Sequence, residues 1–138
     1  MRLALAAYTA ALVLALLLIH FCAPHAHARD LGQWSDQSPR IRDWYRNLMQ
    51  PDMLVQSCCG EADAYWADEF VAEGDHYVAI ITDERPDAPL NRPHMDVGTR
   101  IPVPNHKLVA NKGNPTGHGV IFVRQDGTVL CYVTPPGT

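Results

Sequence analysis

The sequence predicts an α+β fold in which one N-terminal amphipathic helix packs on a small, mainly antiparallel sheet of five or six strands. Helical periodicity of apolar residues occurs once, close to residue 45. After residue 64 the apolar runs are short, rich in aromatic and β-branched residues, and separated by turn residues. These observations together indicate one helix followed by strands, in a sheet that is either open or curled toward a barrel.

Residues 1–28 have the pattern of a secretory signal peptide. Arg2 precedes an apolar run over residues 3–21, and an Ala-x-Ala cleavage site ends at Ala28. We therefore expect cleavage after Ala28, a single small domain over residues 29–138, and a periplasmic or secreted location. The alternative is an uncleaved signal that anchors the protein in the inner membrane, because the run is about as long as a spanning helix.

The charge balance limits the kinds of partner. The chain carries 15 acidic against 11 basic residues, and loss of Arg2 with the signal peptide makes it more acidic. Nucleic acids and anionic membrane surfaces require basic patches. We therefore expect no nucleic acid and, after signal cleavage, no membrane as partner, and we expect instead a protein or another envelope component.

The helix is expected to begin at Ser38-Pro39, with serine as the N-cap and proline at the first helical position. Apolar residues then form one stripe at helical spacing, namely Ile41, Trp44, Tyr45 and Leu48. The helix should end at Met49-Gln50, because Pro51 disfavours helical geometry in the residue before it.

Two hairpins are predicted. Tyr65–Val71 and His76–Thr82 form the first, with the second strand central because both of its faces are apolar. A long loop over residues 83–98 leads to an edge strand over residues 99–103, which contains Pro102.

The second hairpin pairs residues 120–124 with residues 128–133 across Asp126-Gly127, a dipeptide typical of type I′ turns. The pairing predicted from this turn places Phe122 opposite Cys131 and Val123 opposite Leu130.

Three cysteines follow the signal peptide: Cys58, Cys59 and Cys131. Cysteines of a small exported domain are usually paired. One bridge from Cys58 or Cys59 to Cys131 is the simplest arrangement, and it would stabilise the domain by about 4 kcal/mol at most. The remaining cysteine would be a small buried apolar residue or the thiol of a disulfide-linked dimer. A strained ring between the adjacent cysteines is a further alternative.

A metal site is the functional alternative for the same cysteines. Thiolates and imidazole suit copper or zinc, and a cluster of Cys58, Cys59, Cys131 and His118 is conceivable. The spacing fits no known ligand pattern, and an oxidising compartment disfavours free thiolates. The structural bridge is therefore favoured, without a cofactor.

Two polar groups are further candidates for function. The 83–98 loop contains Arg85, Arg92, His94 and Asp96, which either clamp an anionic ligand or form ion pairs with one another. Glu61 and Asp63 follow the cysteine pair and either provide acid–base chemistry for a small hydrolase-type enzyme or accept hydrogen bonds from backbone N–H groups. The non-catalytic interpretation is favoured for both groups, so no catalytic residue is assigned.

Several motifs resemble those of an uncharacterised family of small exported proteins from alphaproteobacteria, Bradyrhizobium-like bacteria especially, that share a Cys-Cys motif. The matching segments are Trp44-Tyr45, Ser57-Cys58-Cys59-Gly60 with Asp63, Ile101-Pro-Val-Pro, Asn114-Pro-Thr-Gly-His-Gly and Cys131-Tyr-Val-Thr-Pro-Pro. The resemblance implies export and one shared domain, and it implies no activity. The leading hypothesis is a disulfide-stabilised, non-catalytic binding or accessory domain.

Overall fold

The computed structural model describes residues 35–60, 63–87, 92–109 and 113–138. The predicted signal peptide and Glu61 therefore lie outside the described residues. A membrane span needs a longer and more apolar helix than any that the described residues form.

The described part of the chain has the predicted α+β character, but its strands form three small sheets instead of one. The helix α1 spans Pro39–Asn47. The strands, in chain order, are β1 (Met49–Gln50), β2 (Met53–Ser57), β3 (Ala64–Trp66), β4 (Glu69–Glu73), β5 (His76–Ile80), β6 (Arg100–Val103), β7 (Leu108–Val109), β8 (Val120–Val123) and β9 (Val129–Val133). The sheets are β1-β2, β3-β8-β9-β7 and β4-β5-β6, and none of them closes into a barrel.

The start of α1 is confirmed and its end is corrected. The Ser38 side chain accepts a hydrogen bond from the Ile41 N–H, and proline follows it at the first helical position. The helix ends at Asn47, two residues before the predicted end, because Leu48 is already extended and Met49–Gln50 form β1. The extended conformation lets Gln50 pair with Met53 across a tight turn.

The β1–β2 hairpin was not predicted and contains a large bulge. Gln50 is paired with Met53, but the next pair is Met49 with Ser57. Residues 54–56 therefore have no partner on β1 and protrude from the hairpin. The Ser57 hydroxyl and the Cys58 N–H both donate to the Leu48 carbonyl, at 3.4 and 2.9 Å, which closes the hairpin onto the end of α1.

The predicted strand Tyr65–Val71 is in fact two strands in different sheets. β3 pairs antiparallel with β8, whereas β4 pairs with β5. The chain changes sheets at Asp68, whose carboxylate accepts hydrogen bonds from Gly119 N–H and the Thr82 hydroxyl. In the second sheet, β5 is central and β6 is an edge strand, as predicted.

The β8–β9 hairpin is confirmed with a different turn. Phe122 faces Cys131 as predicted, but Val123 faces Val129 instead of Leu130, because the register shifts after Phe122. A type I′ turn needs positive φ at both central residues, whereas only Gly127 has one, at 84°. Gly127 N–H donates to the Arg124 carbonyl at 2.9 Å, which fits a type I turn followed by a glycine bulge.

The four-stranded sheet is the middle layer of the domain and is buried on both faces. Along β8, Ile121 and Val123 pack into a core shared with Ala79 and Ile81 of the three-stranded side. The alternate residues Val120 and Phe122 pack into a second core together with Tyr45 of α1. Further residues of this second core are Cys58, Ala64, Leu130 and Cys131.

Gly119, the residue before β8, packs directly against the backbone of Ala67, so this position requires a glycine. A Cβ atom at this position would overlap the Ala67 carbonyl oxygen, which is backbone and cannot move aside. We expect Gly119→Ala to lower the free energy of unfolding by about 1–3 kcal/mol through overpacking, measured by urea denaturation. Gly60→Ala is the matched control, because a Cβ atom there has no neighbour within 4 Å. Equal midpoints for the two variants would contradict this account.

Candidate functional site

The cysteine pairing is resolved in favour of Cys58. Cys58 and Cys131 form a disulfide with a Cα–Cα distance of 5.6 Å, and they are 73 residues apart in sequence. Both residues are fully buried. The bond joins the end of the β1–β2 hairpin to β9 and so fixes the hairpin and α1 to the middle sheet.

Cys59 carries the remaining thiol and is half-buried. Burial raises the pKa of the Cys59 thiol, the neighbouring carboxylate of Asp63 raises it further, and Arg124 only partly opposes them. A thiol with a raised pKa is a weak nucleophile and a weak metal ligand. Cys59 also has a φ of 76°, the left-handed conformation that favours glycine. Its environment is that of a small apolar residue at a strained turn.

The predicted set of copper or zinc ligands is not assembled. The disulfide removes the thiolates of Cys58 and Cys131, and His118 is hydrogen-bonded to Asp68. Across residues 35–60, 63–87, 92–109 and 113–138, no group of three or more histidine, cysteine or acidic side chains is placed to hold a metal ion.

The 83–98 loop is organised by Asp83, which sequence reasoning did not single out. The Asp83 carboxylate accepts from Arg85 Nε at 2.9 Å and Nη2 at 2.6 Å, and from Arg92 Nη1 at 2.7 Å. It also accepts from the Trp66 N–H at 3.0 Å. Burial alone would raise the pKa of Asp83, but the hydrogen bonds from Arg85 and Arg92 outweigh it and hold the pKa far below its usual range.

The four candidate ligand residues of this loop are engaged in hydrogen bonds within the loop. Arg85 and Arg92 share the Asp83 carboxylate, and His94 is hydrogen-bonded to Asp96. Arg92 is almost fully buried and also donates to the Asp87 carboxylate and the Ala64 carbonyl. The exposed His94 is hydrogen-bonded to Asp87 at 2.6 Å and to Asp96 at 3.1 Å, and these contacts raise its pKa. The structure brings the predicted residues together as internal ion pairs. Their charges are already compensated, which disfavours an open clamp for an anion.

A second polar cluster surrounds His118. Its Nδ1 lies 2.9 Å from an Asp68 carboxylate oxygen, and its ring stacks on the Trp66 indole at 3.8 Å between centres. The Arg85 guanidinium carbon lies 4.0 Å from the Trp66 ring centre. Because a carboxylate only accepts hydrogen bonds, Nδ1 carries the proton in this pair. Within the described chain, the Thr116 hydroxyl contacts only the backbone of His118, and no hydroxyl or thiol is hydrogen-bonded to the His118 ring, so the pair lacks the nucleophile of a hydrolytic triad.

The acidic turn after the cysteines is only partly described. Asp63 N–H donates to the Gly60 carbonyl at 3.1 Å, and the charge of the Asp63 carboxylate raises the pKa of the Cys59 thiol. Glu61 lies outside the described residues, so a pair of carboxylates at this turn stays a prediction.

The bulge of β2 presents two aliphatic side chains to solvent. Leu54 is 75% exposed and Val55 is 94% exposed. We call this pair the apolar knob. Met49 and Met53 beside it are each 40% exposed. Neither the helical stripe nor the hairpin motifs indicate this surface, because the bulge is set by the pairing of β1 with β2.

An apolar groove of about 670 Å³ lies beside the knob. Its walls come from α1, the β1–β2 hairpin, the edge strand β7 and the loop before β8, and the apolar residues among them are Trp44, Leu48, Met49, Pro51, Leu54, Leu108, Val109 and Pro115. We call the groove and the knob together the apolar face. Arg40 and Asp43 of α1 lie at the same groove and give it both signs of charge.

Polar contacts hold the apolar face in place. Lys107 Nζ donates to the Gln50 side chain at 3.1 Å and to the Asp52 carboxylate at 2.8 Å, which ties the hairpin turn to the start of β7. The Gln50 amide in turn donates to the Ser57 carbonyl at 3.1 Å.

Comparison of the chain with protein-family models, with curated proteins and with solved structures finds no match, so a functional proposal rests on this geometry.

Proposed function

We propose that this chain is a small exported, disulfide-stabilised, non-catalytic binding domain that contacts a partner protein through the apolar face. The observation that carries the proposal is the apolar knob, because it exposes two aliphatic side chains at the tip of a bulge. Burying one such side chain is worth about 1.5–3 kcal/mol. A partner that covers Leu54 and Val55 therefore gains several kcal/mol from two residues.

The surroundings of the knob favour a preformed binding surface. The disulfide, the Lys107 contacts and the closure of the hairpin on Leu48 fix the bulge relative to α1. A surface that is already rigid loses little conformational entropy on binding. A bulge changes the direction of the side chains on the strand that contains it, and large exposed apolar patches rimmed by polar residues mark protein interaction sites.

The polar clusters favour binding over catalysis. The charges of the 83–98 loop are compensated within the loop, and the Cys59 thiol has a raised pKa. The Cys58–Cys131 disulfide is also consistent with export, because such bonds persist in oxidising compartments.

Site-specific photo-cross-linking in the producing cells tests the proposal. A benzoylphenylalanine at Met53, next to the knob, should give a discrete protein adduct. The same residue at Gln125, exposed on the β8–β9 turn, should give none. The adduct from position 53 should disappear when Leu54→Asp and Val55→Asp are added, because charged side chains cannot be buried unpaired. No adduct, or an adduct of unchanged yield in the aspartate variant, would contradict a contact through the apolar face.

A further inference from the structure

We propose that the outer edge of β4 binds an extended, basic segment of a partner protein, which adds to the β4-β5-β6 sheet as a further strand. This surface is separate from the one in the proposed function, because β4 contributes no residue to the apolar face. Two features of β4 support strand addition: outward backbone groups without partners, and an acidic side chain at the edge that has no counter-charge.

The register of the sheet decides which backbone groups of β4 face outward. The Ile81 N–H donates to the Thr99 carbonyl at 2.9 Å, on the side of β6. Hydrogen-bonding direction alternates from residue to residue along an antiparallel strand, so the even-numbered residues of β5 point toward β4. Their partners on β4 are Glu69, Val71 and Glu73. The backbone groups of these three are used inside the sheet, and those of Phe70 and Ala72 therefore point away from it.

The outward edge of β4 is accessible. In the part of the chain that the structure describes, β4 pairs with β5 alone, and no other segment is hydrogen-bonded to the N–H or C=O groups of Phe70 and Ala72. All residues of β4 except Phe70 are exposed. An extended peptide beside β4 can therefore exchange N–H and C=O hydrogen bonds with both residues, which is how a strand is added to a sheet.

Comparable edges in the two larger sheets are closed. On β3, the Trp66 N–H donates to the Asp83 carboxylate, and Arg92 donates to the Ala64 carbonyl. On β6, an outward position is taken by Pro102, which has no N–H to offer. β7 has only two residues. Among the described strands of these two sheets, β4 is the edge of full length that stays open.

Charge at this edge favours a basic segment. Glu69 is exposed and has no ion-pair partner among the described residues, whereas Glu73 is paired with Arg100. Opposite charges directly across two strands stabilise a sheet, so a lysine or arginine opposite Glu69 adds to the backbone hydrogen bonds. The formal net charge of −4 also attracts a basic segment from a distance.

A second copy of this chain is a poorer occupant of the same edge. Antiparallel pairing of two β4 strands about Val71 would place Glu69 of each copy opposite Glu73 of the other. Like charges directly opposite each other destabilise a strand pair. The acidic residues at both ends of β4 therefore disfavour self-pairing and leave the edge to a strand of opposite charge.

Fluorescence anisotropy with a labelled synthetic peptide tests strand addition. The peptide has the central sequence Lys-Thr-Val-Thr-Lys, so that each threonine pairs with Phe70 or Ala72 and a lysine lies opposite Glu69. Its valine then covers Val71, which is 40% exposed. We expect saturable binding to the purified protein, weakened about tenfold by Glu69→Lys. Glu84→Lys, the charge-matched control at an exposed position outside β4, should leave the affinity unchanged.

Two further measurements separate strand addition from attraction between charges. Methylation of both threonine backbone nitrogens should abolish binding, because their N–H groups donate to β4. Hydrogen exchange followed by NMR should show the amide protons of Phe70 and Ala72 exchanging rapidly in the free protein and slowly in the complex. The Val71 amide should be protected in both. Leu54→Asp/Val55→Asp should not change the affinity, since the apolar face is not involved.

Failure of the basic peptide to bind, binding that survives methylation, or unchanged exchange at Phe70 and Ala72 would each overturn strand addition at β4. Equal binding of a peptide with glutamates in place of the lysines would overturn the choice of a basic segment. Protection of Phe70 and Ala72 that rises with protein concentration, without peptide, would replace the partner segment by a second copy. The cross-linking result at position 53 is independent of all these outcomes, so either proposal can fail alone.

Discussion

Replacing both Cys58 and Cys131 with alanine is expected to lower the free energy of unfolding by about 4 kcal/mol. The bond spans 73 residues, and the chain-entropy model gives a stabilisation of that size for a loop of this length. Small domains are stable by only about 5–15 kcal/mol in total, so the loss is a large share of the stability. Urea denaturation followed by tryptophan fluorescence measures it, with and without a thiol reductant.

The controls for this prediction use the third cysteine. Cys59→Ala removes a thiol without removing a cross-link, so it should change the free energy of unfolding far less than the double variant. The reductant should destabilise the wild type and Cys59→Ala, and it should leave Cys58→Ala/Cys131→Ala unchanged. A double variant as stable as Cys59→Ala would show that the bond contributes little.

Asp83→Asn is expected to lower the free energy of unfolding by about 3–5 kcal/mol. The substitution leaves the Arg92 guanidinium buried beside an uncharged amide, and breaking one side of a buried ion pair costs about this much. Both side chains are 1% exposed, so water cannot replace the lost partner. Thermal and urea denaturation measure the change, and Glu84→Gln, at an exposed neighbouring position, should change it by less than about 0.5 kcal/mol.

A double-mutant cycle separates the ion pair from general damage to the loop. Arg92→Met should also be destabilising, because it leaves Asp83 with one cationic partner fewer. Adding Asp83→Asn to Arg92→Met should cost less than Asp83→Asn alone, since the uncompensated charge is gone. Additive effects would mean that the two residues stabilise the loop independently.

The Asp83 carboxylate should make the free energy of unfolding depend on pH. The pKa of Asp83 is lower in the folded than in the unfolded state, so its contribution is fully present above the unfolded pKa of about 3.9. The contribution is lost as the pH falls through the folded pKa. The difference in stability between the wild type and Asp83→Asn should therefore be constant from neutral pH to about pH 5 and should shrink below about pH 4. A difference that already declines between pH 7 and 5 would point to another group.

Features with local causes could be predicted from the sequence. Ser38-Pro39 and the apolar stripe specify the start of α1 within a few residues, and the β8–β9 hairpin follows from two apolar runs around a glycine turn. The three cysteines allowed three pairings, and the strain of a ring between adjacent cysteines favoured the two that include Cys131. The choice of Cys58 depends on which side chain of the turn faces the second core, and that is a property of the assembled layers.

Features with distant causes could not be predicted. The strand over residues 65–71 divides at Asp68 because that carboxylate is held by Gly119 and Thr82, which are far away in sequence. The bulge at Leu54 depends on how the hairpin closes onto Leu48 and Lys107. In the sequence, Asp83 resembles an ordinary residue after a strand. Its role depends on the hydrogen bond from Arg92, which is nine residues away on the same loop.

The order of strands in the middle sheet has a consequence for how the chain folds. β9 lies between β8 and β7 and is the last strand of the sequence, and its pairing with β7 is parallel and non-local. The middle sheet therefore cannot be completed until residues 129–133 are in place, whereas the β4-β5-β6 sheet contains no residue beyond Val103. Such non-local pairing slows folding. We therefore expect the β4-β5-β6 sheet to form independently of the middle sheet, and the Cys58–Cys131 bond to form late, because Cys131 lies in β9.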